Sequence, residues 1–272
     1  MERYGKFEFE DLDELRKIGE QMPIANKYPL GAELQFVNAR DFAIVGYEKR
    51  IWQVASAGYS LVQHKTVIDS VVSEMATLGL DGLKGHVDTW NHGGRMWIKF
   101  VTPKTFEPFA GDKFNHGVWF ANSYDGSTAV QGGYYAYRQV CKNGMMGWAR
   151  EISARQIHLG VKGIAEWIRE AVQKIRAKEE VFENLIQASA QVRLTEDLET
   201  VLKRLSVGPK VIEKLEKRMD VSDGITGYNV ANAITAYATH DLKERPVAAQ
   251  DYNRLAERIL LKPQILCVMP AK

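Results

Sequence analysis

The chain has only two cysteines, Cys141 and Cys267, among 272 residues. They form no CxxC pair and are too few for a disulfide framework, so two reduced thiols are expected. No stretch approaches the roughly 18 apolar residues that a membrane span needs, and the opening MERYGKFEFEDLDEL is acidic with no apolar signal core. A cytoplasmic location without membrane contact is expected. GxGxxG after a strand, Walker A, HExxH and GxSxG are all missing, which removes the common nucleotide, zinc and serine-hydrolase readings. Six histidines (64, 86, 92, 116, 158 and 240) are scattered singly, and none pairs with another at the i, i+4 spacing of helix-borne metal ligands. No metal and no cofactor are expected.

With 45% hydrophobic residues, the chain can bury one large core or two smaller ones, so a disordered protein is excluded. The formal charge of +2 is unevenly placed. From Arg138 to Lys178 there are nine Lys or Arg against three Glu, whereas residues 1–40 carry six basic and eight acidic side chains. A basic stripe is the footprint of a polyanion site, and on charge alone it reads equally as a solvated helix face.

The richest stretch runs from Phe120 to Gly160. Asp125-Gly126 reads as a hairpin turn, because glycine enters positive φ without a Cβ penalty. Val118–Tyr124 and Ser127–Tyr137 supply the flanking β-branched and aromatic arms, and Asn143-Gly144 reads as a second tight turn. Upstream, an amphipathic helix is expected over Glu10–Met22. Strands follow over Glu33–Val37, Phe42–Tyr47, Ile51–Ala55 and Tyr59–Gln63. Val67, Ile68, Val71, Val72, Met75 and Leu78 keep helical spacing up to a stop at Gly79. Lys84–Trp90 and Arg95–Val101 flank Asn91-His92-Gly93-Gly94 as another hairpin.

Beyond His158 the period is helical. One face runs from Val161 to Ser189 and predicts a helix of about 30 residues, with a break near Lys178. Further helices are expected over Thr195–Leu205, Pro209–Arg218, Gly227–His240 and Val247–Leu261. The fold class is therefore α+β, with an antiparallel, curved sheet and packed helices in the N-terminal half and a mainly helical C-terminal half. Residues 1–160 form the sheet domain, and residues 161–272 a helical region packed on it. Leu205–Leu215, LSVGPKVIEKL, reads either as half of a phosphate-binding helix-hairpin-helix or, more simply, as a Gly-Pro helix connector. Cys141 near His158 reads either as an activated thiolate or, more simply, as a buried strand-end residue.

The ordered set NSYDG, YRQVCKNGM, RQIHLG and GYNVANAITAYATH resembles the phage/plasmid-like proteins, a domain of unknown function numbered nine-three-two, over roughly Tyr59 to Leu261. Arg138, Cys141, Asn143, Gly144, His158 and Asn232-Ala233 match the family pattern. The chain departs from that pattern at Met145-Met146-Gly147-Trp148. In architecture, an antiparallel sheet crossed by a long helix is similar to the single-strand annealing recombinases, the RecT, Redβ and Erf group. What this likeness implies is single-stranded DNA binding and annealing by a homo-oligomer, a ring or arc, encoded on a phage, plasmid or similar mobile element.

An annealing protein needs a positive groove and apolar or aromatic faces, and it needs no hydrolytic chemistry. Arg138, Lys142, Arg150, Arg155 and Lys162 are the candidate phosphate contacts, with His158 as a further donor. Tyr135, Tyr137 and Trp148 are candidate stacking residues, although alternation also allows them to face the core. Asn122, Asp125, Gly126, Asn143 and Gly144 are expected to set turn geometry, and Cys141 and Asn232 to serve structure. Two other classes stay open. One is a non-catalytic regulatory or anti-defence factor that docks a protein on its helical half; the other is an enzyme using Cys141 and His158 with an acid such as Asp125.

Overall fold

A computed structural model describes residues 5–29, 42–46, 49–80, 82–109, 111–139, 143–146, 153–156, 158, 163–219, 224–242 and 245–267. The expected strand over Glu33–Val37 lies outside them. The fold is α+β with antiparallel sheets: ten strands and eight helices are present among the described residues.

The main sheet has the order β1 (Gly5–Phe9), β5 (Lys84–Trp90), β6 (Arg95–Phe109), β7 (Asp112–Ser123), β8 (Val130–Arg138) and β10 (Ser153–Gln156). A further strand, β9 (Asn143–Met146), also pairs β8. β9 and β10 share one edge of β8, β10 taking Val130–Gly133 and β9 taking Tyr135–Arg138. Asn143 and Gly144 therefore do not form the expected tight turn; they open β9 opposite Arg138 and Tyr137. A smaller sheet has the order β2 (Asn26–Pro29), β3 (Phe42–Val45) and β4 (Ile51–Ala55). The expected strand over Tyr59–Gln63 is absent. Its polar groups turn to tertiary partners instead, the Ser60 amide donating to His158 O (2.8 Å) and the Gln63 side chain pairing with the Ala25 backbone.

Two compact units are distinguished. The first contains Met1–Pro103, Gly117–Gly133 and Ser153–Arg176, and the second Lys104–His116, Tyr134–Ile152 and Ala177–Lys272. In the first, α1 (Leu12–Gln21) starts at Asp11, whose carboxylate accepts the Glu14 amide (2.7 Å), and it buries Leu12, Leu15 and Ile18. α2 (His64–Thr77) buries Val67, Ile68, Val71, Val72 and Met75 on one face. Gly79 ends it at φ +65°, with Leu80 N bonded to Met75 O (3.1 Å). α3 (Ile164–Arg176) buries Ile168, Ala171, Val172 and Ile175. On the sheet, Val87, Ile98 and Phe100 share one buried face by register, and Trp97 and Trp119 lie on the other with ring centroids 6.2 Å apart.

In the second unit, α4 (Glu179–Gln191), α5 (Leu198–Arg204), α6 (Pro209–Glu216), α7 (Gly227–His240) and α8 (Pro246–Leu261) follow the expected order. The expected helical run divides near Lys178, at the expected break: α3 ends at Arg176 and α4 starts at Glu179. α7 is the buried element: Thr226 and Asn229 form a capping box at its start, and Val230, Ala231, Ala233, Ile234 and Ala238 pack inward.

Gly85 lies opposite Phe100, where an added Cβ would stand 2.1 Å from Lys99 O and 2.7 Å from Phe100 Cα. Neither backbone atom can yield without separating the strands. Gly85→Ala is expected to lower unfolding stability by about 3 kcal/mol. Urea denaturation checks this, and an unchanged midpoint would refute the close approach of β5 and β6.

Candidate functional site

Four of the sequence-matched residues, Asn122, Asp125, Gly126 and His158, meet in the first unit around the loop from β7 to β8. Asp125 Oδ1 accepts the Ser127 amide (3.0 Å), and Gly126 follows at φ +70°. Asp125-Gly126 joins the two strands as expected, but within a longer loop, because β7 ends at Ser123 and β8 starts at Val130 rather than Ser127; Ser123 Oγ, which donates to Thr128 O (2.8 Å), tightens it. Asp125 Oδ2 then accepts from Asn91 Nδ2 (2.7 Å) and Arg95 Nε (2.5 Å), clamping this loop to the β5–β6 hairpin. Burial pushes the Asp125 carboxyl up, but hydrogen bonds from Ser127 and Arg95 outweigh it and hold the group below the usual carboxylate range.

Beneath the loop, the imidazole of His64 is fully buried and lies flat on Tyr124, with centroids 3.8 Å apart. Its Nε2–H donates to Gly93 O (3.0 Å), so Nδ1 is the acceptor, and Asn122 Nδ2 donates to it (2.9 Å). The same amide nitrogen donates to Val62 O (2.9 Å). A flipped amide would set its oxygen against two acceptors, so the orientation is fixed. Burial pushes His64 down to about 3, and it is neutral at physiological pH. The Tyr124 hydroxyl accepts from His64 N (2.7 Å) and donates to Pro23 O (3.0 Å); burial raises its pKa.

His158 is buried as well. Its Nδ1 is 3.0 Å from Ser60 O, and its ring lies parallel to that of Tyr59 at 5.1 Å. Burial pushes His158 down and raises Tyr59 to about 12. The imidazole that was a candidate phosphate donor is thus turned inward onto a backbone carbonyl.

The knot supports the small sheet. Ile44, Ala55, Ala25 and Tyr124 form a buried cluster, with Trp52, Tyr59 and Leu61 packed on it. Trp52 is the extra residue of a bulge in β4, since Ile44 pairs Gln53 while Val45 pairs Ile51. Its indole donates to Asn91 O (3.1 Å) and fills the space above two glycines. A Cβ on Gly46 or Gly94 would come within 2.2 or 2.6 Å of that ring.

On the other face of the small sheet the edge strands carry exposed side chains, while Ala43 on the central strand is buried. Tyr28 pairs Ala43, which pairs Val54, and the neighbouring row is Asn26, Val45 and Ile51. Tyr28 is 53% exposed, Ile51 58% and Val54 54%, and with Ile24 and Val247 they are the most exposed large apolar side chains among the described residues. Lys49 and Arg50, both exposed, precede β4 and make no ion pair among the described residues. No Asp or Glu occurs in 24–29, 42–46 or 49–56, the described residues that build and flank this sheet.

The remaining candidates are dispersed. Arg155 is exposed on β10. In the second unit, Arg138 Nε donates to Asp112 (2.5 Å), whose other oxygen accepts the Tyr228 hydroxyl, so this guanidinium is committed internally. Tyr135 is buried and Tyr137 partly so. Asn232 lies within α7, its carbonyl accepting the Thr235 hydroxyl (2.9 Å). Cys141, Lys142, Trp148, Arg150 and Lys162 lie outside the described residues. Sequence reasoning missed Tyr28, Lys49, Arg50, Ile51 and Val54; the available signal was a basic pair directly before a short strand. Among the described residues, no three His, Cys, Asp or Glu side chains are placed to hold a metal ion, and no helix is long and apolar enough to cross a membrane.

A histidine neutral in the fold but titrating near 6.5 when unfolded makes stability fall as pH drops below 6.5, because the unfolded chain takes up the proton first. For His64 the loss is expected to reach about 2 kcal/mol by pH 5 and to level off below the folded value. His158, and His116 in the second unit, also pushed down by burial, act in the same direction. Urea unfolding between pH 7.5 and 5 should therefore show a slope that His64→Gln flattens without abolishing; an identical slope in the variant would refute the buried neutral imidazole.

A family model, Domain of unknown function (DUF932), matches residues 52–260. No curated protein and no solved structure matches the chain.

Proposed function

The chain belongs to the DUF932 family, and we propose that it binds single-stranded DNA on the outer face of the β2–β3–β4 sheet and holds it for annealing. The observation that carries this reading is the pairing of exposed Tyr28, Ile51 and Val54 with Lys49 and Arg50 on a surface whose described residues include no acid. A single strand differs from a duplex in offering unstacked base faces together with closely spaced phosphates. A surface that takes both must combine apolar or aromatic area with cations, and it needs little hydrogen-bond readout. The small sheet has this composition. Its inner face is fixed by the His64–Asn122–Tyr124 knot, so the outer side chains stand on a rigid base and little ordering entropy is lost when a strand docks.

Annealing further asks that bases stay available to a complement. A shallow, open sheet face leaves their pairing edges outward, whereas a closed pocket would cover them. Subunits joined in a ring or arc would extend one such face into a continuous track, and exposed Arg155 would add a phosphate contact from β10. This mechanism uses neither nucleotide nor metal.

Fluorescence anisotropy of a labelled oligothymidylate, with a duplex of equal length as competitor, tests the reading. Tyr28→Ala is expected to weaken binding about tenfold, the loss of one stacked base. Lys49→Ala with Arg50→Ala should reduce the slope of log affinity against log salt by about 1.4, since each phosphate contact on a single strand releases about 0.7 counterion. Strong binding with an unchanged slope in the double variant would move the site elsewhere. Absence of strand binding by the unaltered chain would overturn the function, and capture of a protein on the Tyr28 face would replace it.

A further inference from the structure

In the second unit, a cleft of about 450 Å³ lies between the α5–α6 connector and α8. We propose that it binds a nucleotide, with the base against Tyr252 and the aliphatic floor and the phosphate on Arg258.

The lining has two characters. Leu205, Val207 and Leu255 give it an apolar floor, and Tyr252 an aromatic wall. That wall is held in place by Tyr237, whose ring meets it edge-on at 5.0 Å. Asp251, Arg254, Leu255 and Arg258 are spaced i, i+3, i+4 and i+7, which places them along one side of α8 facing the connector. The volume falls within the range of small-molecule sites and suits one base, one sugar and one phosphate.

Charge narrows the choice of ligand. Several cations on and next to these helices are neutralised: Lys203 pairs Glu199, Arg204 pairs Glu196, and Lys214 and Arg218 share Asp241. Arg258 makes no ion pair among the described residues and opens into the cleft. A guanidinium fork matches phosphate oxygens, and an apolar floor beside it matches a planar ring. Asp251, on the same helix face, is placed to accept from a sugar hydroxyl or an exocyclic amine. Inorganic phosphate would leave the aromatic wall unused, and an apolar ligand would leave Arg258 unpaired.

Ser206 adds a backbone observation. It ends α5 at φ +64°, with Val207 N bonded to Leu202 O (3.0 Å) and Ser206 N to Lys203 O (2.9 Å). This is the helix-ending motif in which glycine is the relaxed choice. A serine held there against its preference places a hydroxyl at the cleft wall, beside the arginines. Glycine would fit the backbone better and lose that hydroxyl.

Isothermal titration calorimetry on the full chain tests the site with deoxyadenosine monophosphate, deoxyadenosine and inorganic phosphate. The monophosphate is expected to bind saturably and more tightly than either part. Arg258→Ala should weaken it at least about tenfold, as expected for a lost charge-assisted hydrogen bond. Ser206→Gly should weaken it while raising the melting temperature, a combination that misfolding cannot produce. If the monophosphate does not bind but Arg258→Ala and Ser206→Gly each weaken oligothymidylate binding, the nucleotide is one within a strand and the assignment stands. Equal affinity for inorganic phosphate and the monophosphate would overturn it in favour of a plain anion site. No response of either ligand to either variant would overturn it altogether. Tyr28→Ala should leave monophosphate binding unchanged, which keeps this outcome separate from the fate of the small-sheet reading.

Discussion

A neutral imidazole sealed away from water, His64, is the constraint around which the first unit is organised. With its Nε2 proton given to Gly93, its Nδ1 must receive one, and Asn122 supplies it while also satisfying Val62. Tyr124 covers the ring and takes the His64 amide. The start of α2, the β5–β6 hairpin, the end of β7 and the segment before α1's successor strand are thereby joined through one hydrogen-bonded group. Removing any partner leaves a buried polar atom unpaired, which costs more than the net worth of a hydrogen bond. The cluster specifies geometry by making its alternatives expensive.

Much of the architecture could be read from the chain because long periodic segments coincide with strong punctuation. α2 ends at Gly79, α6 begins at Pro209, and the β5–β6 hairpin turns at Asn91–Gly94, where Asn91, His92 and Gly93 all take positive φ. β1 and β10 were not legible: five and four residues long, they depend on β5 and β8 for definition and carry no period of their own. Tyr59–Gln63 alternates like a strand, but tertiary hydrogen bonds to His158 and Ala25 claim it. Asn143-Gly144 has turn chemistry and opens a strand, because pairing with Arg138 and Tyr137 sets its conformation.

The candidate site was legible in part for a similar reason. Asn122, Asp125, Gly126 and His158 stand out as turn and polar residues, and they do converge. Yet they converge as a scaffold, with hydrogen bonds directed to backbone and to one another. Arg138 stood out by charge and is held by Asp112, an interaction invisible in a one-dimensional count. The outer face of the small sheet was missed because the bulge at Trp52 breaks the alternation that would have announced Ile51 and Val54 as outward-facing. Only pairing with β3 shows which side each residue takes.

That bulge separates two evolutionary tasks within five residues. Trp52, Gln53 and Ala55 face inward, and the indole leaves no room for a side chain at Gly46 or Gly94, so change there disturbs the fold. Ile51 and Val54, with Tyr28 beside them, face solvent and bear no internal load. Substitution at these outer positions can change the chemistry of the exposed face while the inner positions stay fixed, so that face is free to vary at little cost to the fold.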